Sequence, residues 1–153
     1  MSKIEDSFAA LVQGGHITKD MLRGCSDEEI AALEVHFNCR LPSSYRDFLS
    51  IAGKGAGKLF QGTDIFYPRI LQLQREARDL LLELNLPNLL PDEAKVFCMH
   101  QGYELNYFLP NSEDPAIFQF FEGQQAVTQP WNSFSDFIET SIESHLKHWP
   151  ELS

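Results

Sequence analysis

Between Ala94 and Thr128 the chain alternates short apolar runs with clusters of turn formers, and this segment most narrows the folds open to it. Ala94 to Met99 is nearly continuous in apolar character, which predicts a strand covered on both faces. His100-Gln101-Gly102 reads as a turn. Tyr103, Leu105, Tyr107 and Leu109 then recur at every second position, the period of a strand. Pro110 to Pro115 is dense in turn formers. Ala116 to Phe121 predicts a third strand, Glu122-Gly123 a turn, and Ala126 to Thr128 a fourth strand. Consecutive strands with short connections predict an antiparallel meander.

Helical patterns flank this segment. Ser26-Asp27-Glu28-Glu29 is a capping box, Ser at the N-cap and Glu three residues on. Ile30, Leu33 and Phe37 then share one helix face. Leu41-Pro42 breaks that helix, and Pro42 suits the first position of the next. The second helix turns Tyr45, Phe48 and Leu49 inward and ends near Gly53, read as a C′ glycine. Leu59 to Tyr67 reads as short extended pieces around Gly62. A long helix follows over about 69–85, with Ile70, Leu73, Ala77, Leu80, Leu81 and Leu84 as its buried stripe. Ser133 caps a last helix, with Asp136 near its positive end. Phe134, Phe137, Ile138, Ile142, His145 and Trp149 form its apolar face. Helices, then a meander, then a closing helix predict an α+β fold, a central mostly antiparallel sheet flanked by helices. No repeat or linker interrupts it, so residues 1–153 read as one domain.

A chain of 153 residues buries enough surface to need no covalent staple. Its three cysteines, Cys25, Cys39 and Cys98, are odd in number and widely spaced. They fit reduced thiols acting as small hydrophobes, not a disulfide or zinc framework. In the first twenty residues the apolar run Phe8 to Val12 is too short for a leader and has acids before it. No run is long enough to span a bilayer. The cytoplasm is the compartment expected.

Catalytic patterns fail on inspection. Gly53-Lys-Gly-Ala-Gly-Lys58 lacks the first glycine and the final hydroxyl of a phosphate loop, where the chain has Ala52 and Leu59. Lys58 also stands where the dinucleotide fingerprint needs its third glycine. His145 and His148 fit the negative end of a helix, and no third ligand joins them at metal spacing. Cys98 and His100 lie two apart in one strand, with the thiol in a buried run. Of the acids, Glu104, flanked by tyrosines, is the best placed for a perturbed carboxyl, though a solvent-facing or cross-strand role is expected for it. No enzyme activity, metal or cofactor is implied.

Charge is more informative. The net charge is −10, yet residues 1–78 hold 10 acids and 10 bases. Residues 79–146 hold 11 acids against one base, Lys95. Such a half repels phosphate, which argues against direct binding of nucleic acid or an anionic membrane. It attracts a basic partner and speeds the encounter.

Three segments form a recognisable set. The first runs from Ser26-Asp27-Glu28-Glu29-Ile30 through Leu41-Pro42-Ser43-Ser44-Tyr45-Arg46-Asp47-Phe48-Leu49 to Gly53. The second is Met99-His100-Gln101-Gly102-Tyr103-Glu104, continuing to Phe108. The third is Asp114-Pro115, then Phe120-Phe121-Glu122-Gly123, Trp131 and Ser133-Phe134-Ser135-Asp136-Phe137. In this order and spacing they resemble the SUKH superfamily, which includes a fungal cell-wall-synthesis regulator and many bacterial immunity proteins. The likeness is strongest over residues 24–146. One departure is the region of the Leu-Pro helix and its loop: family members often carry a tryptophan there, and this chain has Phe48 and Phe60.

The resemblance implies an α+β fold and a protein-binding role, in many members the neutralisation of a toxin. A nuclease toxin must bind phosphate, so a basic active face would meet an acidic inhibitor well. Charge and loop position select Asp92, Glu93, Glu104, Glu113, Asp114 and Glu122 as the expected partner contacts. The alternative is an adaptor in signalling or envelope regulation, which predicts an exposed aromatic patch drawn from Tyr67, Tyr103, Tyr107 and Phe108.

Overall fold

The computed structural model describes residues 2–148; Trp149, assigned above to the last helix, and Glu151 lie outside them. Five helices form: α1 (Lys3–Gln13), α2 (Asp27–Phe37), α3 (Ser43–Ala52), α4 (Ile70–Glu83) and α5 (Phe134–His148). Seven strands accompany them: β1 (Leu22–Arg23), β2 (Gly55–Ala56), β3 (Thr63–Asp64), β4 (Lys95–His100), β5 (Glu104–Phe108), β6 (Ile117–Phe121) and β7 (Thr128–Trp131). β1 and β2 make a small antiparallel pair. The other five form one antiparallel sheet in the order β3-β4-β5-β6-β7. The fold is α+β, as the strand and helix pattern predicts.

Side-chain period decides which helix covers which face. α4 presents Leu73, Ala77 and Leu81 to Val96, Met99, Leu105, Tyr107 and Phe120 on one side of the sheet. Gln74 adds a polar stitch, since its amide donates to the Ala94 carbonyl (2.8 Å) and accepts from the Val96 N–H (2.9 Å). The opposite side meets α1, α3 and α5 through Phe97, Cys98, Phe108 and Ile117. Phe97 and Cys98 are neighbours and would normally point to opposite faces. A bulge between Val96 and Cys98 shifts the register against β5, and both side chains join the same core.

Capping follows the sequence closely in places. Ser26 and Glu29 close the reciprocal box at the start of α2. Ser133 Oγ accepts from the Asp136 N–H at 3.0 Å. Pro42 stands one residue before α3 instead of opening it. Gly53 is right-handed (φ −61°), not the left-handed C′ residue expected. Its glycine is required by proximity: a Cβ there would lie 2.6 Å from both Cys25 Sγ and the Leu49 carbonyl oxygen. α1 has no counterpart in the sequence reading. Its capping box of Ser2 and Glu5 and the buried Ile4, Phe8 and Leu11 turn the short amino-terminal apolar run into a core helix.

The last strand also differs. It occupies Thr128–Trp131 instead of 126–128. Proline normally argues against a strand because it cannot donate to the ladder. β7 is the edge of the sheet, and its pairing with β6 is irregular between Ile117 and Gln119, so Pro130 is tolerated there. This places Trp131 opposite Ile117, packed edge-to-face on Phe137 of α5 at 4.9 Å.

Candidate partner-binding cleft

The side of the sheet that meets α1, α3 and α5 is apolar at one end and polar at the other. Phe97, Phe108 and Ile117 lie under the start of α5. Further along, the inward positions are Cys98, Asn106 and Gln119, which stand in register across β4, β5 and β6. Burial obliges such amides to find partners. Gln119 Nε2 donates to Asn106 Oδ1 at 3.0 Å, and Asn106 Nδ2 donates to Glu104 Oε2 at 2.9 Å. Asn106 is fully buried, so Glu104, itself half-buried, is held from below by a fixed donor. At the sheet edge Thr63 and His100 share a hydrogen bond of 3.0 Å.

This polar end floors a cleft of about 760 Å³. Thr63, Cys98, Glu104 and Gln119 line it from the sheet. Lys58, Leu59, Phe60 and Gln61 form the loop wall. Phe137, Thr140, Ser141, Ser144, His145 and His148 overhang it from α5, and Trp131 closes the side. Beyond Trp131 and Thr140, which border both, a smaller groove of about 340 Å³ runs between β7 and α5 past Asp136, Glu139 and Glu143. Together the two concavities carry four carboxylates against one lysine. Among the described residues no group of three or more His, Cys, Asp or Glu side chains could hold a metal ion.

Two of the thiols, Cys25 and Cys98, sit in the core. Burial raises the pKa of Cys25 to about 11 and that of the fully buried Cys98 further still. Cys39 is half-buried and its pKa is also raised, again mainly by burial. Thiolate chemistry needs the opposite shift.

The six acids selected from the sequence do not come together. Asp92 and Glu93 are exposed in the turn before β4, and Glu113 is exposed in the β5–β6 loop. Lys95 pairs with Phe108, so these acids occupy one end of the sheet. Glu104 pairs with His100 and Phe121, so it and the exposed Glu122 occupy the other. At ~3.3 Å per strand residue, the length of β5 alone holds the two ends about 13 Å apart. Asp114 has a structural task, since its Oδ1 accepts from the Ser135 N–H at 2.9 Å and satisfies a free donor at the start of α5. Asp114→Ala is expected to cost about 1 kcal/mol of stability in a urea titration, while Asp114→Asn retains most of it. The Glu113 carbonyl accepts from the Ser44 N–H at 3.0 Å, tying the same loop to α3.

The aromatic patch of the alternative reading does not form. Phe108 and Tyr107 are buried and Tyr67 is half-buried, which leaves Tyr103, 41% exposed, as the accessible one. Sequence reasoning missed Asp136, Glu139 and Glu143 as neighbours of one groove. Their spacing of three and four along α5 was the available signal, but it does not say which helix face lies beside a strand edge.

His145 takes part in the cleft wall instead of simply ending a helix. Burial, and then the nearby charge of Lys58, hold its pKa below the ordinary 6.5. His36 is lowered for the same first reason, with Lys95 second. A depressed histidine pKa means that the folded state resists protonation. The stability this gives is complete above pH ~6.5 and is lost as pH falls from the unfolded value through the lower folded one. Glu29 and Glu76 are lowered from 4.5 by their hydrogen bonds to Ser26 and Arg69, so their contributions fade only in a more acidic window. Thermal midpoints are expected to fall between about pH 7 and 5.5, and a His36→Gln, His145→Gln variant should flatten that segment of the curve.

No helix among the described residues is long and apolar enough to cross a membrane. A search of the curated proteins finds no match. The family pattern described as the SMI1 / KNR4 family (SUKH-1) matches residues 24–140, more than three quarters of the chain. The matched span takes in α2, α3, the whole five-stranded sheet and the first half of α5, and so the floor and most of the walls of the cleft. SUKH domains are in general protein-binding modules of immunity and regulation, and this chain belongs to the SMI1 / KNR4 (SUKH-1) family.

Proposed function

We propose that this chain is a cytoplasmic immunity-type protein that neutralises a toxin domain by direct binding, and that its cleft and the adjoining groove form the contact surface. The observation that carries the reading is the excess of carboxylates there: Glu104, Asp136, Glu139 and Glu143 against Lys58. A nuclease toxin fits this surface well, because a site that binds phosphate is basic and would be occluded by an acidic one. Glu122, exposed beside the Glu104 end, extends the surface. Asp92, Glu93 and Glu113 contribute to the long-range field without touching the partner.

The test begins with the product of the gene adjacent to this one. Its toxin domain should co-purify with this chain in a fixed ratio and lose its activity on addition of the chain. Failure to form a complex or to inhibit at micromolar concentrations would remove the immunity reading.

A further inference from the structure

We infer that the cleft seats a single arginine side chain of the partner, its guanidinium on the Glu104 carboxylate. This rests on the reading of the cleft as the contact surface. It adds the chemistry of the group that enters.

Three features converge on a planar cation. Glu104 is oriented before any partner arrives, because the buried Asn106 donates to its Oε2 and is in turn fixed by Gln119. That bond leaves Oε1 and one lone pair of Oε2 open. Among the described residues no cation lies within ion-pair distance of this carboxylate. Lys58, the lysine of the cleft, forms no ion pair with it. A half-buried, pre-positioned carboxylate without a counter-ion gains most from an incoming charge, since its desolvation is already partly met.

Aromatic walls select the kind of cation. Phe60, Trp131 and Phe137 line the same cleft, and Trp131 remains partly exposed. Guanidinium is planar, weakly hydrated and able to stack while donating two parallel hydrogen bonds. An ammonium is compact and strongly hydrated, so it gains less from such walls.

The probe is N-acetyl-arginine methylamide, titrated into the labelled protein and followed by NMR, with the citrulline analogue as a neutral isostere. The arginine compound should give saturable shifts at Glu104, Asn106 and Gln119. Citrulline should bind about tenfold more weakly, and Glu104→Gln, whose amide oxygen can still accept from Asn106, should lower arginine affinity by a similar factor. Equal binding of the two compounds, shifts that do not saturate, or a Glu104→Gln protein that binds as wild type would overturn the inference. The adjacent-gene toxin separates this from the broader reading. Toxin binding that survives Glu104→Gln but weakens in Glu139→Gln, Glu143→Gln sinks the arginine seat alone. Saturable arginine binding with no toxin complex sinks the immunity reading alone.

Discussion

Phe97→Ala is expected to lower the unfolding free energy by about 3–5 kcal/mol. Phe97 is fully buried where two strands and two helices meet. Its ring lies 5.9 Å from Tyr45 of α3, 5.7 Å from Phe108 of β5, and 5.5 and 5.3 Å from Phe134 and Phe137 of α5. Rings at these separations add to the burial energy, and none can collapse into the gap without disturbing another. A loss of this size is a large part of the 5–15 kcal/mol typical of a domain. Tyr45→Phe provides the contrast. The Tyr45 hydroxyl is buried and has no hydrogen-bond partner among the described residues, so its removal should be neutral or stabilise by up to about 1 kcal/mol. Urea midpoints at constant slope measure both. A Phe97→Ala cost under about 1 kcal/mol would mean the cluster is not the centre of the core.

The second large effect concerns association. Glu104→Gln, Glu139→Gln, Glu143→Gln leaves every backbone cap in place. Asp136 is spared, since it supports the start of α5 near Ser133. At low ionic strength this variant is expected to associate with the proposed toxin partner at least about tenfold more slowly than wild type. Asp92→Asn, Glu93→Gln, Glu113→Gln removes the same formal charge from the far end of the sheet and should change the rate far less. Stopped-flow fluorescence of Trp131 and Trp149 measures both variants. The comparison matters because a general acidic field would slow the two alike.

Much of the architecture was legible as periodicity. The alternation of Tyr103 to Leu109 and the leucine stripe of α4 each fix a face, and a face fixes a neighbour. Capping signals were as direct: Ser26, Glu29 and Ser133 act through bonds of three-residue span. What was not legible depends on distant chain. Gly53 is needed because Cys25 approaches it, and no local rule contains that contact. Pro130 speaks against a strand unless its strand is known to be an edge. The bulge that brings Phe97 and Cys98 to one face is a property of the β4–β5 pairing.

The site was half visible for the same reason. Glu104 stood out as a carboxyl among tyrosines, and the structure places it on the cleft floor. Its support by Asn106 and Gln119 needs the cross-strand register, which the sequence does not state. Asp114 reads as an exposed loop acid, yet its partner is a helix N–H twenty-one residues away. Charge counted along the chain located the acidic half correctly but could not divide it between two ends of a sheet.

The salt dependence of the wild-type association rate tests the central claim most directly. Screening shortens from about 10 Å at 0.1 M salt to about 3 Å at 1 M, which removes steering but leaves close contacts. If carboxylates of the cleft and groove recruit a basic partner, the rate constant should fall steeply over that range for the wild-type chain. The cleft variant should start slower and fall less steeply. A wild-type rate indifferent to salt, or a far-end variant as slow as the cleft variant, would contradict the account.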